Sequence, residues 1–424
     1  MIHDEAPSTA PPQPTESTKL HNPTILNHIN QFYHSLNAIP ISTLLAHKRA
    51  RSPDNSLALV SVDEATPLRD VLEIMAEKNI QAVPVYKLEP SNDGGRGEKR
   101  FTGIVSIYDV LAWTVFQKLF DDLEELNTGS QTGTTSKRFL DLDKEADVYF
   151  STPVETLVGF TAESSCSWSL HSTEPLTSLL QMITTPPYHR MLIVDVDRAV
   201  QSVTFDEDDV PHGGDACIVM VTQTDLLQFI YDYRDSINEI SFNHLLRAPI
   251  EQVELFAKDN LRSLRNMDVD PNQLSTAAGS QKSSVVTVPA SYTALNAFRV
   301  MYLNRVSAVA VVSDNGGQIV ANLSATDLKG MTADMESLES LLMPVFEFLE
   351  TKSKSRGVDQ IKADQLRCVG KGQVLETAIE VLKADQIHRV WIQDGEEKPV
   401  GVLTMGDILS FFVPLGQVEK ETVY

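Results

Sequence analysis

Cysteine is scarce in this chain. Cys166, Cys217 and Cys368 are its only three in 424 residues; they show no metal-ligand spacing and cannot all pair. That count fits a reducing compartment and excludes a disulfide scaffold. Basic residues are outnumbered, with 35 Lys and Arg against 58 Asp and Glu, a formal net charge of −23. A nucleic-acid backbone needs a basic footprint, so nucleic acid is not expected as the main partner. No apolar run approaches the length that crosses a bilayer, so no membrane partner is expected. The opening MIHDEAPSTAPPQP has neither a basic n-region nor an apolar h-region, so a secretory signal is not expected. Walker loops, GxSxG, HExxH and CxxC are all missing, and the ten His form no paired set with Cys or carboxylates beyond two His-Arg doublets. No metal site and no catalytic residue is therefore expected. A soluble protein of the cytoplasm, or also of the nucleus, is the class left.

A hydrophobic content of 42% is ordinary for a chain that buries sizeable cores, and the length leaves room for two to four domains. The negative charge is gathered locally, in Asp121-Asp122-Leu123-Glu124-Glu125, Asp141 to Asp147 and Asp206 to Asp209, so positive pockets are compatible with it. The Pro-, Ser- and Thr-rich start reads as a disordered tail, taken to residue 38. IPISTLLAHK, from Ile39, then reads as a short lead-in helix.

What the chain does hold is a repeat. IHRVWIQDGEEKPVGVLTMGDILSF, Ile387 to Phe411, reads as a strand over Arg389 to Gln393, an Asp394-Gly395 turn, a second strand to Thr404 and a helix opening at Met405. Its strand-to-helix end recurs as GIVSIYDVL from Gly103, VMVTQTDLL from Val219 and ANLSATDLK from Ala321. Each copy places Asp three residues after Ser or Thr: Ser106/Asp109, Thr222/Asp225, Ser324/Asp327 and Thr404/Asp407. Such a junction presents unpaired N–H groups and a positive dipole end to an anion. Ser/Thr-x-x-Asp is also nearly a helix capping box, and four homologous helices would all need caps. The residues opposite tip the balance. His189-Arg190 and His388-Arg389 occupy one position in repeats two and four, and Arg305 is placed there in repeat three. An Arg entering a buried sheet needs a partner, and its planar fork suits phosphate.

The units are expected at 39–125, 147–236, 285–333 and 364–416, each β-α-β-β-α. A lead-in at Val154 to Val158 precedes repeat two. Phe242 to Leu264 and Leu338 to Leu349 read as helices. Polar linkers are expected over Asn127 to Ser136, Asn266 to Ser284 and Lys352 to Val358, and solvated inserts over Glu89 to Arg100 and Asp197 to Asp215.

Each unit resembles a cystathionine-β-synthase (CBS) domain, and four in tandem resemble the gamma subunit of AMP-activated (SNF1-type) protein kinase. The resemblance implies an α/β fold in which repeats pair into two Bateman modules, one with two and three with four, stacked as a flat disc with ligand clefts near its centre. It implies AMP, ADP and ATP as competing regulatory ligands, no other cofactor, and kinase alpha and beta subunits as partners. Asp109, Asp225, Asp327 and Asp407 would take ribose hydroxyls, and His189, Arg190, Arg305, Ser307, His388 and Arg389 phosphates. Ser106, Thr222, Ser324 and Thr404 would supply hydroxyls, and Thr287 would flank an adenine. Against the family pattern, Gln81 and Gln223 stand where basic residues are usual, and Met405-Gly406 lacks a second hydroxyl. Sites using Arg190, Arg305 and Arg389 are thus favoured over any relying on repeat one. Two other readings stay open: a free-standing four-repeat scaffold regulating another partner such as a phosphatase, and a structural protein whose Asp and Arg are caps and ion pairs.

Overall fold

The computed structural model describes residues 22–52, 57–89, 98–127, 135–164, 169–185, 188–196, 204–205, 211–212, 217–265, 285–355 and 366–415. The expected tail before residue 22, Cys166, the linker over 266–284 and most of the inserts after Glu89 and Asp195 lie outside the described residues.

One small sheet recurs four times. A short first strand runs parallel to a middle strand, which pairs antiparallel with a third. The strands are Val62–Asp63, Ala82–Glu89 and Glu98–Ser106; Ser169–His171, Arg190–Val194 and Ile218–Thr222; Thr287–Pro289, Ala308–Val312 and Ile319–Ser324; and Cys368–Gly370, Arg389–Gln393 and Pro399–Thr404. The first two strands of each are joined by a helix: Leu68–Glu77, Leu176–Thr184, Ala294–Leu303 or Leu375–Asp385. In the first, Leu68, Val71, Leu72 and Met75 form the buried stripe that a helix period places on one face. A second helix follows the third strand in three copies, Ile107–Thr114, Gln223–Asp232 and Met405–Phe411. Repeat three departs from the expected β-α-β-β-α. Its closing element is a single 3-10 turn, Ala325–Leu328, stopped where Gly330 takes a φ of +71°. Part of the insertion expected as solvated loop adds strands: Pro211–His212 pairs with the edge strand of repeat one, and Thr204–Phe205 pairs with it in turn.

The lead-in segments are crossed. Ile41–Arg51 was expected to serve repeat one, yet it docks on repeat two, with Pro40 bridged to Pro175. Val154–Leu157, expected to serve repeat two, docks on repeat one through Pro153 and Pro67. Likewise Ile250–Arg265 caps repeat four through Pro249 and Val374, and Val345–Ser355 caps repeat three through Pro344 and Thr293. A proline immediately precedes each of these four segments, where a missing N–H costs nothing and the carbonyl remains free to bridge. Pro249 and Pro344 also explain why the two longer helices read from sequence are each broken, into Arg234–Leu246 and Ile250–Arg265, and into Met335–Ser340 and Val345–Ser355. The last of these runs through Lys352, where a linker was expected.

The repeats meet in a closed ring. Sheet faces join one to two through Leu59, Ala82, Phe101, Ile104, Leu192 and Ile218. They join three to four through Ala308, Ala310, Ile319 and Trp391, where Trp391 Nε1 donates to Asn322 Oδ1 at 3.2 Å. Helices complete the ring, packing one with three in one core and two with four in another. Arg299 of repeat three pairs with Asp121 and Glu124 at 2.6 and 2.7 Å, so part of the acidic run after repeat one is an inter-repeat tie.

Residues expected to be tail form a helix, Pro23–Leu36, capped by Asn22. Ile25, Ile29, Phe32 and Leu36 follow a helical period, and Phe32 sits fully buried with ring contacts to Phe242 and Phe412. Phe32→Ala should cost about 3–5 kcal/mol and lower the thermal unfolding midpoint. An unchanged midpoint would mean that this helix is not docked.

Candidate functional site

The four strand-to-helix junctions are capping boxes. In each, one carboxylate oxygen of the Asp accepts the backbone N–H of the Ser or Thr three residues before it, at 2.7 Å for Asp109, 2.9 Å for Asp225, and 2.8 Å for Asp327 and Asp407. The hydroxyls of Ser106, Thr222, Ser324 and Thr404 donate to the same oxygen. Capping uses Oδ2 in every copy.

The copies differ in what meets that carboxylate. Asp109 is buried, and its Oδ1 accepts the Thr161 hydroxyl at 2.5 Å. Burial raises its pKa, with the bonds from Ser106, Thr161 and Ser164 opposing. Asp225 is half-buried and pairs with Lys48 at 2.7 Å. Asp327 is fully buried beside the guanidinium of Arg389, and Asp407 is half-buried. Thr287 is exposed on the first strand of repeat three, paired in register with Ala310.

Backbone bonds fix which residues correspond. The carbonyls of Gln81, His189, Ser307 and His388 accept from Ile107, Gln223, Ala325 and Met405 at 2.8, 3.2, 3.0 and 3.1 Å. The next residues, Ala82, Arg190, Ala308 and Arg389, face the four capping hydroxyl residues across the sheet. Arg305 is therefore not the counterpart of Arg190 and Arg389, contrary to the expectation. It ends the preceding helix at φ +54°, matching Asn79 at +49° and Gln386 at +53°. The side chain is exposed, and its charge is felt by the Tyr108 phenol of repeat one.

The ring brings His388, Arg389, Arg190, Ser307 and Asp327 together with Lys329, Gln81 and Asn79. Arg389 Nη2 donates to Ser307 Oγ at 3.0 Å. Gln81 Nε2 lies 3.4 Å from His388 Nδ1, and Lys329 Nζ donates to Asn79 Oδ1 at 3.2 Å. His388 is exposed to water, with protein packed densely round the rest of the ring. Loss of water, then Arg389, Arg190 and Lys329, push its pKa down to about 4, so the ring is neutral at physiological pH. Arg389 is pushed down to about 10 by burial, with Asp327 opposing; a guanidinium there remains charged at neutral pH. At an effective dielectric near 20, like charges about 5 Å apart repel by about 3 kcal/mol. Cations gathered round one recess are thus suited to an anion that enters it.

Repeat two is arranged otherwise. His189 donates its backbone N–H to Glu163 at 3.0 Å and places its ring Nδ1 3.3 Å from the same carboxylate. Arg190 lies 3.7 Å from it. Although burial works against ionisation, Arg190 and His189 hold Glu163 down to about pKa 2.

Lys329, Lys48, Thr161 and Glu163 were not picked out from sequence. Lys329 had a signal, since Leu111, Leu227 and Leu409 fill the matching position in the other copies. Thr161 and Glu163 lie ahead of the first strand of repeat two and had none. No group of three or more His, Cys, Asp or Glu is placed to hold a metal among the described residues, and no described helix is long and apolar enough to cross a membrane.

The CBS domain family model matches residues 56–115, 281–331 and 358–414, so the chain carries CBS domains. Repeat two, outside the matched segments, has the same strand pairing. Along most of its length the chain is similar to the SNF1-related protein kinase regulatory subunit gamma-like PV42a of Arabidopsis thaliana, 24% identical over 83% of this chain and 90% of the relative. It is 21% identical to the 5'-AMP-activated protein kinase subunit gamma of Saccharomyces cerevisiae, over 84% and 87%. A solved structure from Methanocaldococcus jannaschii, put forward as an archaeal homolog of g-AMPK, superposes with a TM-score of 0.50 at 15% identity, over 84% of this chain and 96% of that one. It shares the fold.

Because folding lowers the His388 pKa from 6.5 to about 4, the unfolded chain binds this proton more readily. Neutral His388 therefore contributes stability that is present above about 6.5 and lost as pH falls towards 4. In an NMR pH titration assigned with His388→Gln, the ring should stay neutral to about pH 5 in the free protein and titrate higher once an anion enters. A free-protein midpoint near 6.5 would show that the cations do not converge on it.

Proposed function

We propose that this CBS-domain chain is an adenine-nucleotide-sensing regulatory protein, and that it serves as the gamma-type subunit of an AMP-activated (SNF1-type) kinase in the cytoplasm or nucleus. The observation that carries the nucleotide reading is the convergence of Arg389, Arg190 and Lys329 on neutral His388, next to the Asp327 carboxylate. Charge-assisted bonds from a guanidinium fork are strong and select planar or tetrahedral oxyanions. Asp327 is an acceptor only, suited to the two hydroxyls of a ribose. In this assignment Arg389 exchanges its bond to Ser307 for phosphate, Arg190, Lys329 and His388 border the phosphates, and Asp327 fixes the ribose.

AMP, ADP and ATP compete for one recess in this reading, and differ in how many phosphates meet those cations. A ligand shifts a conformational equilibrium only through such a difference in binding. The similarity to gamma subunits supports alpha and beta kinase subunits as the readers of that shift, and a purely regulatory rather than catalytic role.

Calorimetry with AMP, ATP and adenosine tests the ligand, and co-purification with kinase alpha and beta subunits tests the partner. Arg389→Ala should weaken AMP binding about 10- to 100-fold, the loss of a charged hydrogen bond, and leave adenosine binding little changed. Equal affinities for AMP and adenosine in the unmodified protein would reject the phosphate assignment.

A further inference from the structure

The two sheet-paired modules are built alike but filled differently. In the second, the Arg389 guanidinium lies beside the buried Asp327 carboxylate. In the first, the corresponding residues are Arg190 and Asp109, which the shared registers Arg190↔Thr222 and Arg389↔Thr404 and the shared capping boxes identify. Between Arg190 and Asp109 lies a segment of the chain itself. Thr161 donates its hydroxyl to Asp109 Oδ1 at 2.5 Å. Two residues on, the Glu163 carboxylate meets the His189 N–H at 3.0 Å, the His189 ring at 3.3 Å and Arg190 at 3.7 Å. A hydroxyl sits on the ribose-binding carboxylate, and an anion on the phosphate-binding His-Arg pair.

The segment is seated firmly. Ser164 Oγ accepts the N–H groups of Gly159 and Thr161 at 3.0 and 3.3 Å, and Ser164 O accepts from Ile104 of repeat one at 3.2 Å. A Cβ on Gly103 would lie 2.3 Å from Ser164 O and 2.8 Å from Val158 Cγ1, so only glycine there lets the segment approach the sheet. Phe160 packs edge-on against Trp113 at 5.4 Å. Glu163 is buried, and leaving it so requires its cationic partners.

We infer that the cleft between repeats one and two is a second adenine-nucleotide site held closed by the chain, with Thr161 standing in for a ribose hydroxyl and Glu163 for a phosphate. The inference rests on the nucleotide reading above. Thr161 and Glu163 share one turn, closed by the Ser164 N–H donating to Thr161 O at 3.2 Å, so a single short segment reaches both Asp109 and the His189-Arg190 pair. The matching stretch of the second module, 356–365, lies outside the described residues.

Calorimetric stoichiometry on the full chain tests this, with AMP as the probe. The unmodified protein should bind one AMP per chain, and the near-isosteric Thr161→Val, Glu163→Gln double variant should bind two. One site in both proteins overturns the inference while leaving the nucleotide reading intact. A second site in the unmodified protein that Asp109→Asn abolishes overturns it as well, because the segment then yields to ligand unaided. No binding in either removes the nucleotide reading and the inference together. Should the variant not fold, hydrogen exchange on the unmodified chain decides: amides of residues 159–164 should keep their protection when AMP saturates, and loss of protection there overturns the inference.

Discussion

Each repeat is completed by a segment that belongs, in sequence, to its neighbour. A three-stranded sheet with two helices leaves apolar surface uncovered, and Ile41–Arg51, Val154–Leu157, Ile250–Arg265 and Val345–Ser355 cover it crosswise. Crossing has a consequence that simple stacking would lack. Neither repeat of a pair can separate without stripping the other, so the relation between their sheets is set by chain connectivity as well as by packing. The strand-to-helix junctions are positioned by that relation. Their placement then decides which side chains from four distant stretches of sequence share a recess.

At those junctions one carboxylate caps the helix and, in the function we propose, also meets a ligand. Capping fixes Oδ2 in every copy and thereby orients the side chain, so the cap and the binding role are compatible rather than rival. What distinguishes the copies is the neighbour supplied by another element. Lys48 reaches Asp225 from the crossed lead-in helix, Thr161 reaches Asp109 from the segment after Val154–Leu157, and Arg389 reaches the neighbourhood of Asp327 across the sheet pair. Four equivalent motifs thus become inequivalent sites without any change in the motif.

The repeated hairpin was legible because its signal is local: Asp394-Gly395 between two apolar runs, and Ser or Thr three residues before Asp. The middle strand of repeat four, Arg389–Gln393, has the bounds read from sequence. Register was not legible for repeat three, where NRVSA invites Arg305 into the place of Arg190. The backbone instead sets Arg305 at a left-handed helix end, a position chosen by the length of the helix before it rather than by charge. The helix Pro23–Leu36 carried its period in Ile25, Ile29, Phe32 and Leu36, but Pro, Ser and Thr just upstream made the whole stretch read as tail. Glu163 and Lys48 had no local signature at all. Their partners are set by the crossed lead-ins, which no short-range pattern encodes.

A formal charge of −23 sits uneasily with an anion recess until distance is considered. At physiological ionic strength the Debye length is about 8 Å, so acidic segments farther away than that contribute little potential at the recess. Some of the acidic charge is already spent: Asp121 and Glu124 on Arg299, Glu163 on His189 and Arg190. What remains local to His388 is Arg389 and Lys329, together with Arg190, whose charge is shared with Glu163, and Asp327 is the opposing carboxylate at Arg389. The imidazole's depressed pKa follows from burial and this arrangement, since a fourth positive charge there would meet three others. An entering phosphate reverses that cost. It relieves repulsion among fixed cations and makes protonation of His388 more favourable, so anion binding and proton uptake are linked at this one side chain.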